Sequence, residues 1–133
     1  MQWFKHDTNA NQDTRIKRLR NRYGLAGYGL YFYVLERVVA GLHQGNVSLT
    51  LEDDPALIAA DWGIAEIDAR EMLQYMVELD LLAVSPDGLY ACPKVAKRLD
   101  KSMTNGRNMR ELVDTLRCAH GYATAPASLV MTM

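Results

Sequence analysis

The stretch Asp54–Pro93, DPALIAADWGIAEIDAREMLQYMVELDLLAVSPDGLYACP, decides the fold. Asp54 is a helix cap and Pro55 suits the first helical position, where its missing N–H costs nothing. A short helix over Ala56–Ala60 then closes near Trp62-Gly63. A second helix follows over about Glu66–Leu79, with Ile67, Met72, Leu73, Met76 and Leu79 expected to face inward. Two helices joined by a tight glycine-containing turn form a helix-turn-helix. Leu81–Val84 and Leu89–Cys92 flank Ser85-Pro86-Asp87-Gly88, and Pro followed by Asp-Gly marks a hairpin turn. A hairpin directly after a helix-turn-helix is a wing. The predicted fold is therefore mainly α, a winged helix-turn-helix with a small β-hairpin wing and a C-terminal helix.

Outward from that core, Asp13 caps a helix over about residues 14–22, with Ile16, Leu19 and Tyr23 on one apolar stripe. Arg15, Lys17, Arg18, Arg20 and Arg22 fill the other faces. Gly24 ends this helix. A second helix runs from about Gly27 to His43. Tyr28, Tyr31, Leu35, Val38 and Leu42 form its stripe, widened by Phe32, Val34 and Val39, so it is central and covered on most sides. Gly24, Gly27 and Gly29 read as a tight corner with a close approach between helices. Gln44-Gly45-Asn46 is a turn, and the alternation over Val47–Leu51 suggests a short strand. Pro93 opens a helix over about Lys94–Met103 with Val95 and Leu99 inward. Met109, Leu112, Val113 and Leu116 resume a helical stripe beyond Asn105-Gly106. A helix continuous through Gly106 would be long enough to pair with a partner helix. The organisation expected is a winged-helix domain over 1–103, a helical extension over 104–118 and a loose tail over 119–133.

Bulk properties bound the function. The chain has 133 residues, 49% of them hydrophobic, which suits one domain with a real core. Net charge is −1, so any nucleic-acid binding must come from a local patch. Cys92 and Cys118 lie far apart without metal spacing and read as reduced thiols of a cytosolic protein. The longest apolar run falls short of the roughly 18 residues a membrane span needs, and no secretory signal is visible at the N-terminus.

No catalytic constellation emerges. His6 and Asp7 are adjacent in an extended segment and point apart, so they read as hydrogen-bonding anchors for the N-terminal segment. A metal site from His6, Asp7, His43 and His120 has no supporting fold. Tyr28, Tyr31, Phe32 and Tyr33 can stack bases, but beside Leu and Val at helical spacing they read as core. The glycines lack the Lys-Ser/Thr of a phosphate loop. Met72 and Met76 read as core filler. The expectation is a protein that is not an enzyme and takes no cofactor or small molecule.

The segment WFKHDTNANQDTRIKRLRNRYGLAGYGLYFYVLE (3–36) resembles the N-terminal winged-helix domain of phage replication proteins related to DnaD-like primosome and replisome-organiser components. Phe-Lys-His-Asp, the Asn/Asp residues before the first helix, and Tyr-Gly-x-x-Gly-Tyr-Gly before an aromatic helix carry the likeness. Glu78-Leu79-Asp80-Leu81-Leu82 and SPDGLYACPKVAKRL extend it to roughly residues 3–100. The resemblance implies a winged helix and a role in phage or mobile-element replication, without catalytic residues. Members usually carry a further C-terminal region that contacts replication partners, and this chain stops about 30 residues past the resemblance.

Charge then separates two surfaces. The second helix of the helix-turn-helix, which usually enters the major groove, carries Glu66, Asp68, Glu71, Glu78 and Asp80 against Arg70 alone. Phosphates repel such a face, so base reading by Arg70 and Gln74 is disfavoured and Glu66, Asp68, Glu71 and Glu78 are expected to meet a protein. Arg15, Lys17, Arg18, Arg20 and Arg22 are expected to merge with Lys94, Lys97, Arg98 and Lys101 into one cationic face that holds a DNA backbone with weak sequence preference. A replication protein or a second copy is the expected partner of the acidic face. The rivals are an adaptor working by protein contact alone, homodimeric through residues 94–117, and a sequence-specific repressor.

Overall fold

The computed structural model describes residues 6, 9–43, 46–99 and 106–120. The architecture is mainly helical with one small two-stranded antiparallel hairpin. A 3-10 turn (Ala10–Gln12) leads into α1 (Thr14–Ala40), followed by α2 (Pro55–Trp62) and α3 (Glu66–Glu78). The hairpin strands are β1 (Ala83–Val84) and β2 (Tyr90–Ala91), with Ala83 opposite Ala91 and Val84 opposite Tyr90. A 3-10 helix (Pro93–Arg98) and α4 (Arg107–Ala119) complete the chain order.

α1 is two helices in one run. Gly24 adopts φ 67°, ψ −152°, a region that side chains rarely enter, and the axis breaks there. The expected corner is thus in place. The second half buries Leu30, Tyr31, Phe32, Val34, Leu35, Val38 and Val39 and forms the centre of the core. Around it pack Ile58 of α2, Leu73 and Met76 of α3, Leu81 and Leu82 before β1, Val95 and Leu99, and Leu112, Val113 and Leu116 of α4.

The α2 cap forms as its sequence dictates: the Asp54 carboxylate accepts from the Leu57 backbone N–H at 2.9 Å. Asp54→Ala is expected to lower the unfolding free energy by about 1 kcal/mol in a urea melt, and an unchanged midpoint would remove the cap from the account.

Four expectations need correction. Ile67 faces outward, 66% exposed. The buried positions of α3 are Ala69, Met72, Leu73 and Met76, a stripe at i, i+3, i+4, i+7, and Ile67 stands on the opposite side of the helix. Residues 47–51 form no strand of their own. Leu49 has φ 58°, which breaks the extension, so only a bridge from Thr50 to Ala91 survives. It is flanked by Leu51 N–H to the Tyr90 carbonyl (2.7 Å) and Cys92 N–H to the Leu49 carbonyl (2.9 Å).

The helix expected over 94–103 is a 3-10 helix that ends at Leu99, φ −113°, ψ 125°. Arg117 from α4 donates through Nη1 to the carbonyls of Ala96 (3.2 Å) and Leu99 (2.7 Å), acceptors that a longer helix needs for its own ladder. The apolar stripe of α4 is buried in the same core, and α4 starts after Gly106, whose ψ of 128° is not helical, so the helix is not continuous through Gly106; residues 100–105 lie outside the described residues. Finally, of the tail expected over 119–133, only residues 119 and 120 are described. Ala119 lies in α4, and His120 Nε2 lies 3.0 Å from the Val47 carbonyl oxygen; residues 121–133 are outside the described residues.

Candidate nucleic-acid interface and partner face

Asp13 begins the cationic end. Its carboxylate accepts from the N–H groups of Arg15 (2.8 Å) and Ile16 (3.3 Å), capping α1. Partial burial raises its carboxyl, but the bonds from Arg15 and from these N–H groups outweigh that and hold it below the usual carboxylate range. With Ile16 and Leu19 inward, Arg15, Arg18 and Arg22 share one flank of the helix at i, i+3, i+7, and Lys17 and Arg20 share the other.

Asp80 ties this end to the region after the hairpin. It has φ 62°, the left-handed conformation that follows a helix C-terminus, and Asp is among the few side chains that tolerate it. Asp80 N–H bonds to the Val77 carbonyl (3.0 Å) and Leu81 N–H to that of Met76 (2.9 Å), which closes α3. The turn delivers the Asp80 carboxylate to Lys94 Nζ at 2.7 Å and to Arg15 Nη1 at 3.8 Å. Hydrogen bonding and charge from Lys94, then charge from Arg15, depress the Asp80 carboxyl. Asp13 and Asp80 together lift Arg15. Lys17, Arg18 and Arg20 form no ion pair among the described residues. The side chains of Lys97 and Arg98, and Lys101 altogether, fall outside the described residues.

Arg22 departs from this cluster. Tyr23 packs edge-on to Tyr75 of α3, ring centroids 5.7 Å apart, and Arg22 lies over the Tyr75 ring at 4.5 Å. Together they wall an open groove of about 330 Å³, lined also by Ile67, Arg70, Glu71, Gln74 and Glu78. Glu66, Asp68, Glu71 and Glu78 are all exposed, and Glu66 holds Arg70 at 2.9 Å. The expected segregation of charge is therefore crossed twice: Arg22 lies on the acidic face and Asp80 inside the basic one. Asp80 was legible only as one more acid of α3, because the bonds that define its role come from Arg15 and Lys94, residues remote in sequence.

On the far side of α1, Gly29, Tyr33 and Arg37 recur every fourth residue; the first two meet α2 and Arg37 meets the segment before it. A Cβ at Gly29 would lie 3.2 Å from the Trp62 ring. Tyr33 packs against Trp62 with centroids 5.0 Å apart and ring planes tilted by 36°, and donates to Asp61 at 2.6 Å. Arg37 pairs with Asp53 at 2.9 Å. Burial, then the Asp61 hydrogen bond, pushes the Tyr33 phenol up to about 12. The folded state thus keeps this proton where the unfolded chain loses it, so the stability it supplies is full below pH 10 and is lost from there to about pH 12. A spectrophotometric titration is expected to show a late-ionising component that Tyr33→Phe removes, at a cost of about 1 kcal/mol; a titration that Tyr33→Phe leaves unchanged would contradict the bond.

His6 stacks on Phe32, centroids 4.1 Å apart, so it anchors by ring contact; Asp7 is outside the described residues. Cys92 is buried and donates to the Leu81 carbonyl at 3.6 Å, and Cys118 is exposed. Among the described residues no group of three or more His, Cys, Asp or Glu is placed to hold a metal ion, and no helix is long and apolar enough to cross a membrane.

A family model described as Lin1244/Lin1753-like, N-terminal, matches residues 3–86. No curated protein and no solved structure matches the chain.

Proposed function

The chain belongs to the Lin1244/Lin1753-like N-terminal family, and we propose that it is a non-enzymatic winged-helix module of phage or prophage DNA replication. It holds a nucleic-acid backbone on its cationic end and leaves the α3 face for a protein. The winged-helix reading is supported by the α2–Gly63–α3 turn, the β1–β2 hairpin after it, and the antiparallel bridge from Thr50 to Ala91.

The observation that carries the binding reading is the meeting of Arg15 and Lys94 on Asp80. It draws the start of α1 to the residues after the hairpin; Arg18 extends the Arg15 flank, Lys17 and Arg20 stand on the other flank, and none of these three forms an ion pair among the described residues. Reading of bases by α3 is disfavoured by its four exposed acids, Glu66, Asp68, Glu71 and Glu78; protection of one discrete operator would restore the repressor reading.

The test is a titration of labelled duplex and single strands at two salt concentrations. Three phosphate contacts imply a loss of about 40-fold in affinity between about 50 and 200 mM salt. Absence of binding at the lower salt would leave only the protein adaptor.

A further inference from the structure

We propose that the exposed ridge of Leu25, Trp62 and Ile67 docks a basic amphipathic helix of another protein. The proposal rests on the reading of the α3 face as a partner surface and names the partner's chemistry.

Leu25 is 81% exposed, Ile67 66% and Trp62 38%. The contacts on either side of them bring their segments together. Tyr23 lines the groove beside Ile67, and Gly29 faces the Trp62 ring, so residues 23–29 of α1 run past the turn from Trp62 to Ile67. Leu25 stands one turn before Gly29 on the same helical face, the face against which Trp62 lies. Isolated exposed apolar residues are ordinary, but three on one ridge beside an open groove mark a contact surface.

Charge identifies the occupant. Asp61 precedes Trp62, Glu66 and Asp68 flank Ile67, and Glu71 lies one turn on from Ile67 in the groove wall; all four are exposed. Arg70 offsets Glu66, with which it pairs, and Arg22 over Tyr75 keeps its charge, so Asp61, Asp68, Glu71 and Glu78 stand as four acids against one cation. The rim is therefore anionic around an apolar centre, which suits a helix with aliphatic anchors at i, i+3, i+4, i+7 and Lys or Arg beside them. DNA offers no apolar anchor and is repelled by the rim. The cationic end of a second copy exposes no large apolar side chain among residues 14–22 and leaves the ridge uncovered.

The probe is a fluorescein-labelled Leu/Lys amphipathic peptide of about 18 residues, read by anisotropy against the whole chain. Its controls are a Leu/Glu peptide of the same pattern and a scrambled Leu/Lys peptide. Saturable binding of the Leu/Lys peptide is expected, at least about tenfold tighter than either control. Leu25→Asp and Ile67→Asp should each weaken it about tenfold, and Glu71→Lys should weaken it too, with melting curves unchanged because all three positions are exposed. Equal binding of the scrambled peptide, indifference to the ridge substitutions, or no saturable binding overturns the proposal. Preference for the Leu/Glu peptide overturns the basic partner while keeping a partner surface. Sedimentation showing a dimer that Ile67→Asp converts to monomer assigns the ridge to a second copy and also overturns it. The DNA titration is read through Lys17, Arg18 and Lys94, none of which lines the groove, so failure here is distinguishable from failure there.

Discussion

Gly27→Val is expected to lower the unfolding free energy by about 2–3 kcal/mol, reversing the sign that a helical glycine usually gives. In an ordinary helix interior, replacing glycine by a residue with a side chain gains up to about 1 kcal/mol. At Gly27 a Cβ would lie 2.8 Å from Tyr23 Cβ and 3.3 Å from the Leu19 carbonyl oxygen. Neither neighbour is the yielding end of a long side chain. Gly24 breaks α1 just before this point and brings its two halves together, and Tyr23 is held between Tyr75 and Arg22. The added methyls must displace backbone or prise Tyr23 from α3, and overpacking of this kind costs about 1–3 kcal/mol. A urea melt reads the effect. Gly41→Ala is the companion: its Cβ would find ordinary contacts at 3.7 and 3.8 Å, so the midpoint should stay within about 0.5 kcal/mol. A Gly27→Val chain as stable as the parent would mean that the two halves of α1 do not approach this closely.

The second large effect is on DNA. Lys17→Glu with Arg18→Glu should weaken backbone binding by at least about a hundredfold at low salt, since two neutralised phosphates are lost and two repulsive charges gained. Neither residue forms an ion pair among the described residues, so the melting temperature should hold. Asp80→Asn should move affinity the other way, by several-fold on the same reasoning. It keeps a residue that tolerates φ 62° while releasing Lys94 and Arg15 from their shared acid. Opposite signs are informative, because general loss of structure cannot strengthen binding. If both variants bind like the parent, the cationic end is not the contact.

Much of the fold was legible because it rests on neighbours in sequence. Asp13, Asp54-Pro55 and Gly24 act within one helical turn, and the Pro86-Asp87-Gly88 turn acts within its own hairpin. The candidate site was legible only in part. The basic residues could be named, but not that Arg22 would lie over Tyr75 or that Asp80 would sit between Arg15 and Lys94. Ile67 looked like core because any aliphatic residue near a helical stripe does, and the register is fixed only by what α3 packs against.

The sequence by itself determined where helices start, where the chain turns and which segments are apolar enough to form the centre, since caps, glycine conformations and periodicity are short-range. Tertiary structure decided which face of α3 is outside, where the helix after Pro93 stops and which charges meet. Those outcomes depend on groups far apart in the chain, such as Arg117 on the Ala96 and Leu99 carbonyls and Lys94 on Asp80. Such contacts exist only once the core around the second half of α1 has closed.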